Sequence, residues 1–331
     1  YKRQPSDFVW LQLADILGEH CSPRSPGTAP RYVDMDPREE SGPLVAVSGA
    51  GGTGASCVAM GLASAAVDPH DRKVLLVDGA RRGELAMYHD TGDVVPGLPE
   101  LVKRARNGDA DPDELDDTVF DSGRGYELLL GQRSTTDWLD LDRSSVTAAI
   151  RATRRRWDVV VVDHDGDLDS SELTRSAETD ARNAVSLELA RSADLWVVVV
   201  APGTKGIASA ARAIDEAVRA GVEQRRIQVV FNRFGRSPVA RGVHSGALAS
   251  MTAARDSMEM PAVYVPECRH MESAHRDATR LPRRFLSPLA AVLEGVVEGG
   301  GTPSTGRRVT AAPSTEPATP DLVTTGTGAQ T

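Results

Sequence analysis

The sequence predicts an α/β fold, a mainly parallel β-sheet of about seven strands with helices on both faces. Three observations carry this expectation. Short β-branched runs recur at Leu44–Val47, Val74–Val77, Tyr126–Leu130, Val159–Val162, Leu195–Val200, Ile227–Phe231 and Ala262–Val265. Helical stretches separate them, and that alternation calls for right-handed crossovers between parallel strands buried on both faces. The chain of 331 residues, 40% of them hydrophobic, is long enough to bury one large core.

Taken in order, residues 1–42 open with an amphipathic stretch from Phe8 to Leu17 and continue as a Pro, Ser, Gly and charge-rich linker. The stretch reads as a helix that covers the domain's own surface, with partner docking as the alternative. The α/β domain is expected over 43–297. Its first strand runs into Gly49-Ala50-Gly51-Gly52-Thr53-Gly54-Ala55-Ser56 and then a small-residue helix, Val58 to Ala66. The closing helix is predicted from Ser287-Pro288 to Val297, a capping residue followed by proline in the first turn. Residues 298–331, rich in Gly, Pro, Thr and Ser, are predicted to be disordered.

Composition narrows the function classes. A net charge of −9 argues against wrapping nucleic acid over a broad face, which needs clustered cations. Cys21, Cys57 and Cys268 show no paired spacing, so neither a disulfide framework nor a zinc site is indicated, and a reducing, cytoplasmic setting is expected. No apolar run is long enough to span a bilayer. The chain begins at Tyr1, which suggests a piece of something longer.

Strand, glycine-rich loop and helix in succession are the context of a phosphate-binding loop. Its glycines let backbone N–H groups converge on an anion, a lysine reaches the β and γ phosphates, and a hydroxyl ligates magnesium. Only four lysines occur, Lys2, Lys73, Lys103 and Lys205, and none lies in the loop. Ala55 stands at the lysine position, while Ser56 keeps the hydroxyl.

The loop resembles the deviant Walker A of the MinD/ParA superfamily, Lys-Gly-Gly-x-Gly-Lys-[Ser/Thr]. Gly51, Gly52 and Gly54 match its glycines, but Ala50 stands at the signature lysine and Ala55 at the second. Val74-Leu75-Leu76-Val77-Asp78-Gly79-Ala80 resembles the strand ending in Asp-x-Asp, with Ala80 where the water-orienting carboxylate belongs. Trp157 to Asp163 resembles the Walker B strand, Ser192 to Val200 the next strand, Val229 to Arg233 the strand whose Asn reads adenine, and Val265-Pro266-Glu267 the segment closing over the base. The resemblance covers roughly 44–297. Within the superfamily the loop is most similar to actinobacterial CpaE/TadZ-like and septum-site-determining-like proteins.

The resemblance implies ATP or ADP with Mg2+ as cofactor. It places Gly49, Gly51, Gly52, Thr53, Gly54, Ala55, Ser56, Cys57, Asn232, Arg233 and Pro266 around the nucleotide, and Ser56, Asp78 and Asp163 around the metal. No catalytic residue is assigned, because Ala50, Ala55 and Ala80 replace the family's Lys, Lys and Asp. The expectation is a pseudo-ATPase: a scaffold for protein partners of a pilus, secretion or division apparatus, at a pole or septum, compatible with a homodimer and with membrane association through partners. The alternative is an active positioning ATPase with a rescuing arginine.

Other features have plainer readings. Arg81 and Arg82 are candidates to replace a lost lysine, with solvated loop residues preferred, and Lys205 is a still weaker candidate. The carboxylates of Asp163 to Asp169 lack the spacing of a calcium loop. The arginines between Arg151 and Arg156 sit at a helix C-terminus, where cations offset the dipole. The last helix reads as core rather than as a membrane-targeting helix.

Overall fold

The computed structural model describes residues 41–67, 71–91, 95–106, 112–134, 136–252, 260–297 and 307–309. Strands β1 (Leu44–Gly49), β2 (Val74–Asp78), β3 (Phe120–Asp121), β4 (Glu127–Leu129), β5 (Val159–Asp163), β6 (Leu195–Val200), β7 (Ile227–Asn232), β8 (Met260–Val265) and β9 (Arg307–Val309) form one sheet in the order β3-β4-β2-β5-β1-β6-β7-β8-β9. In chain order the helices are α1 (Ala55–Val67), α2 (Leu98–Ala105), α3 (Pro112–Asp116), α4 (Arg143–Arg156), α5 (Ser171–Thr174), α6 (Ala177–Arg182), α7 (Ala184–Ser192), α8 (Thr204–Arg219), α9 (Pro238–Thr252), α10 (Met271–Arg276) and α11 (Arg283–Val297).

The seven strands expected from the sequence pair in parallel from β4 through to β8. Two short antiparallel edges are added, β3 on β4 and β9 on β8. Arg307–Val309 lies inside the segment expected to be disordered, so backbone pairing on an open sheet edge orders it where apolar burial gave no signal. The rest of 298–331 and the amphipathic stretch from Phe8 to Leu17 fall outside the described residues.

Alternation along each strand feeds two cores. Leu44 and Ala46 of β1 face one layer with Leu101 and Val102 of α2, Val146 and Ala149 of α4, Leu189 of α7, Ile214 of α8 and Leu248 of α9. Val45 and Val47 face the other, with Val58, Met60 and Leu62 of α1 and Phe285, Leu289 and Val292 of α11. Both faces are covered, as an all-parallel centre requires. The four arginines at the end of α4 include a structural anchor rather than a phosphate patch: Arg154 is buried, pairs with Asp194 at 2.8 Å and donates to the carbonyls of Gly42 and Ser192 at 3.0 Å each. The same Asp194 oxygen accepts from the Leu44 N–H at 2.9 Å, which ties the start of β1 to that of β6.

The closing helix begins at Arg283, four residues before the predicted start, and Pro288 lies inside it. The Pro282 carbonyl accepts from the N–H groups of Phe285 and Leu286. Phe285 supplies the reason for the extra turn, since it is buried against α1. A Cβ on Gly61 would stand 2.5 Å from Leu289 Cδ1 and 2.6 Å from Phe285 Cε1, so α1 and α11 touch where α1 has no side chain. Each buried large apolar residue of α11 contributes about 1.5–3 kcal/mol to that seam.

Candidate functional site

β1 lies between β5 and β6, and the chain departs from it in both directions, so its carboxyl end is a switch point where open α/β sheets bind ligands. The loop of residues 50–54 occupies that point. The Thr53 N–H donates to the Ala50 carbonyl at 3.0 Å, and the Val58 N–H donates to the Gly54 carbonyl at 3.0 Å, opening α1. Gly54 has φ +85°, and a Cβ there would meet Asn232 Nδ2 at 2.5 Å, so no other residue fits without movement. Gly51 and Gly52 border open space. The glycine backbone of a phosphate-binding loop is therefore present.

β7 supports the loop from the side. Asn232 Nδ2 donates to the Thr53 carbonyl at 2.9 Å, so this amide braces the loop in addition to any part in reading a base. The next residue, Arg233, takes φ +60°, a conformation unusual outside glycine, and its guanidinium donates to the Gly52 carbonyl. Thr53 Oγ1 is buried and has no hydrogen-bond partner among the described residues.

Asp78 and Asp163 are register partners at the ends of β2 and β5. Burial pushes the Asp163 carboxyl up to about 7, reinforced by the charges of Asp78, Asp165 and Glu84 and opposed by a hydrogen bond from Ser56. Burial likewise lifts Asp78 to about 6, against N–H bonds from Leu85 and Ala80. These bonds measure 2.9 Å and 3.4 Å and occupy both Asp78 oxygens, while Gly83 and Gly131 close round the carboxylate. Asp78 thus fastens the segment from Ala80 to Leu85. Of the three positions expected for magnesium, the structure joins Ser56 to Asp163 and sets Asp78 against backbone.

The donors fit a magnesium nucleotide in part. Open glycine backbone, Ser56 and Asp163 are available to it. Ala50 and Ala55 bring no cation, and Ala80 brings no carboxylate. Among the described residues no group of three or more His, Cys, Asp or Glu is arranged to hold a metal. Arg81 does not replace a lysine, because it is held by Asp165 at 2.9 Å and Asp167 at 3.2 Å. This pairing also explains the acidic segment, whose Asp167 further meets Arg182 at 3.4 Å. Arg82 and Lys205 are exposed, as solvated residues should be.

Cys57, one residue past Ser56, lies 3.3 Å from His275 Nε2, and burial raises its thiol pKa. Pro266 follows β8 and lines a cleft with Arg233. Arg124 is a buried arginine without a sequence signal, whose guanidinium donates to the carbonyls of Tyr88 at 2.8 Å and Ala274 at 3.0 Å. It lies between two glycines outside every motif, so no pattern could flag it. His164 is buried, edge-on to Trp196 at 4.7 Å, and desolvation lowers its pKa to about 4, keeping it neutral.

No family model matches the sequence, and no curated protein matches it. Solved structures do resemble it. A ParA family ATPase from Chlorobium tepidum superposes with a TM-score of 0.60 at 18% identity, over 75% of this chain and 97% of that one. The cell division ATPase MinD of Pyrococcus furiosus gives 0.55 at 19%, over 75% and 97%. The septum site-determining protein MinD of Pyrococcus horikoshii, solved with Mg-ADP, gives 0.54 at 19%, over 76% and 94%. The chain has the α/β fold of these P-loop ATPases.

Proposed function

We propose that this chain, built on the MinD/ParA fold, is a pseudo-ATPase: it binds ATP or ADP with magnesium weakly and serves as a localisation or assembly scaffold. One observation carries the reading. The loop keeps its glycine backbone and its brace from Asn232, while Ala50, Ala55 and Ala80 remove both cations and the water-orienting carboxylate, and Arg81 is paired away by Asp165 and Asp167. Phosphoryl transfer depends on positioned electrostatics at those places, so binding outlasts hydrolysis when they are lost. Ser56 and Asp163 are the residues that would hold a magnesium ion, which would supply positive charge to offset that of the phosphates.

Protein partners of a pilus, secretion or division apparatus, at a pole or septum, follow from the likeness of the Gly-Gly-x-Gly-Ala-Ser loop to CpaE/TadZ-like proteins. The names of the two MinD structures, cell division and septum-site determination, agree with that setting. Val239 and Val243, one turn apart on α9 and 77% and 64% exposed, offer an apolar pair for such a partner. A second reading, an active ATPase with a rescuing arginine, rests on Arg233 over the Gly52 carbonyl. Steady-state phosphate release by the purified full chain decides between them. No turnover above the no-enzyme rate supports the scaffold; turnover abolished by Arg233→Ala supports the ATPase.

A further inference from the structure

Beside the phosphate loop, at the carboxyl ends of β7 and β8, lies an open cleft of about 750 Å³. Its lining includes Arg233, Arg236, Arg269 and Arg284, with Glu267 and Pro266. The four arginines come from three separate segments: the turn after β7, the turn after β8 and the first turn of α11. Convergence of distant segments is what a binding site needs, whereas one basic run on one loop would be a solvated surface. Some arginines of this acidic chain are matched with carboxylates, as Arg81 is with Asp165, Arg133 with Glu100 and Arg156 with Asp116. Arg236, Arg269 and Arg284 have no ion pair or hydrogen bond among the described residues.

The resemblance puts an adenine base next to Pro266. A neutral base calls for amide and apolar contacts, and four guanidiniums against one carboxylate call for an anion. Arg233 joins the cleft to the loop, since it lines the first and donates to the Gly52 carbonyl of the second. We propose that the cleft binds a phosphate group, and that the ligand is a nucleotide carrying a second phosphate on the side of the ribose away from its 5′ chain. The cations absent from the loop at Ala50 and Ala55 thus have counterparts on the nucleoside side. This inference rests on the reading of the loop as a nucleotide site.

Calorimetric titration of the full chain at about physiological salt, where exposed charges are screened, compares AMP with adenosine 3′,5′-bisphosphate. The bisphosphate is expected to bind about tenfold tighter or more, the return on one charge-assisted contact to arginine. That preference should vanish in R269A/R284A, which leaves the AMP affinity within about twofold, and should persist in R225A, an exposed arginine outside the cleft. Melting curves matching wild type establish that the double variant is folded. Equal affinity for the two ligands, a preference that survives R269A/R284A, binding of neither nucleotide, or a glutamate-rich peptide bound in the cleft without bisphosphate preference would each overturn the proposal. ATP turnover by the wild type would end the pseudo-ATPase reading and leave the bisphosphate preference untouched, so the two ideas fail separately.

Discussion

The side-chain amide of Asn232 donates to the backbone carbonyl of Thr53, 179 residues earlier, at 2.9 Å. The bond crosses from the end of β7 to the phosphate loop, and it lies in the space that a Cβ on Gly54 would invade. Asn232→Ala leaves a buried carbonyl without its partner, a loss of about 1–3 kcal/mol. The melting temperature should drop by several degrees and the affinity for ADP should fall with it. An unchanged affinity would show that the brace is not what shapes the loop.

Ala55→Lys returns a cation to the start of α1. Affinity for ATP should rise about tenfold or more, since a charged hydrogen bond contributes about 1.5–3 kcal/mol. Hydrolysis should stay at background, because Ala80 still supplies no carboxylate to orient water. Titration followed by a phosphate-release assay reads both halves of the expectation.

Asp163 sets a pH dependence. Its folded-state pKa of about 7 lies above the ordinary 3.8, so between those values the native state holds a proton that the unfolded chain has lost. Stability contributed by this group is complete below the ordinary value and is lost as pH rises through the folded one. Asp163→Asn removes the buried charge. The variant should melt about 3 °C or more above wild type near pH 8 without divalent cation, with the difference narrowing toward pH 5 and closing only at the ordinary value of 3.8. A difference that grows toward low pH would reverse the assignment.

Leu289→Ala opens a cavity where α11 meets Gly61 and should cost about 2–5 kcal/mol. Gly61→Ala acts oppositely, forcing a methyl to within 2.5 Å of Leu289 Cδ1. Combined, the two changes should restore part of the loss, because the new methyl enters the space vacated by leucine. Denaturant midpoints of the four proteins measure this coupling, and strict additivity would mean that the two helices do not touch there.

The sheet was readable in the sequence because its seven parallel strands are continuous β-branched runs, and a run such as Val159–Val162 has no helical alternative of that length. The edges were not, since strands as short as Phe120–Asp121 and Arg307–Val309 show no pattern of their own and are placed by backbone pairing with β4 and β8. The start of α11 was misplaced because Ser287-Pro288 carries the local signature of a helix beginning, while the burial of Phe285 decides the matter from a distance. The loop was legible as a motif. What holds it was not: Asn232 and Arg233 reach Thr53 and Gly52 across the chain, and the pairing of Arg81 with Asp165 and Asp167 brings together the ends of β2 and β5.

Gly61 stands six residues into α1 from Ala55, about 9 Å along the helix axis at its normal rise. The bare spot where Phe285 and Leu289 press on α1 therefore acts as a fulcrum close to the loop, with α11 as the lever arm. Tension applied at Val297, where α11 ends, is delivered through a packed contact to the helix whose first turn carries Ser56. The glycine makes the last described helix a direct neighbour of the helix that opens at the phosphate loop.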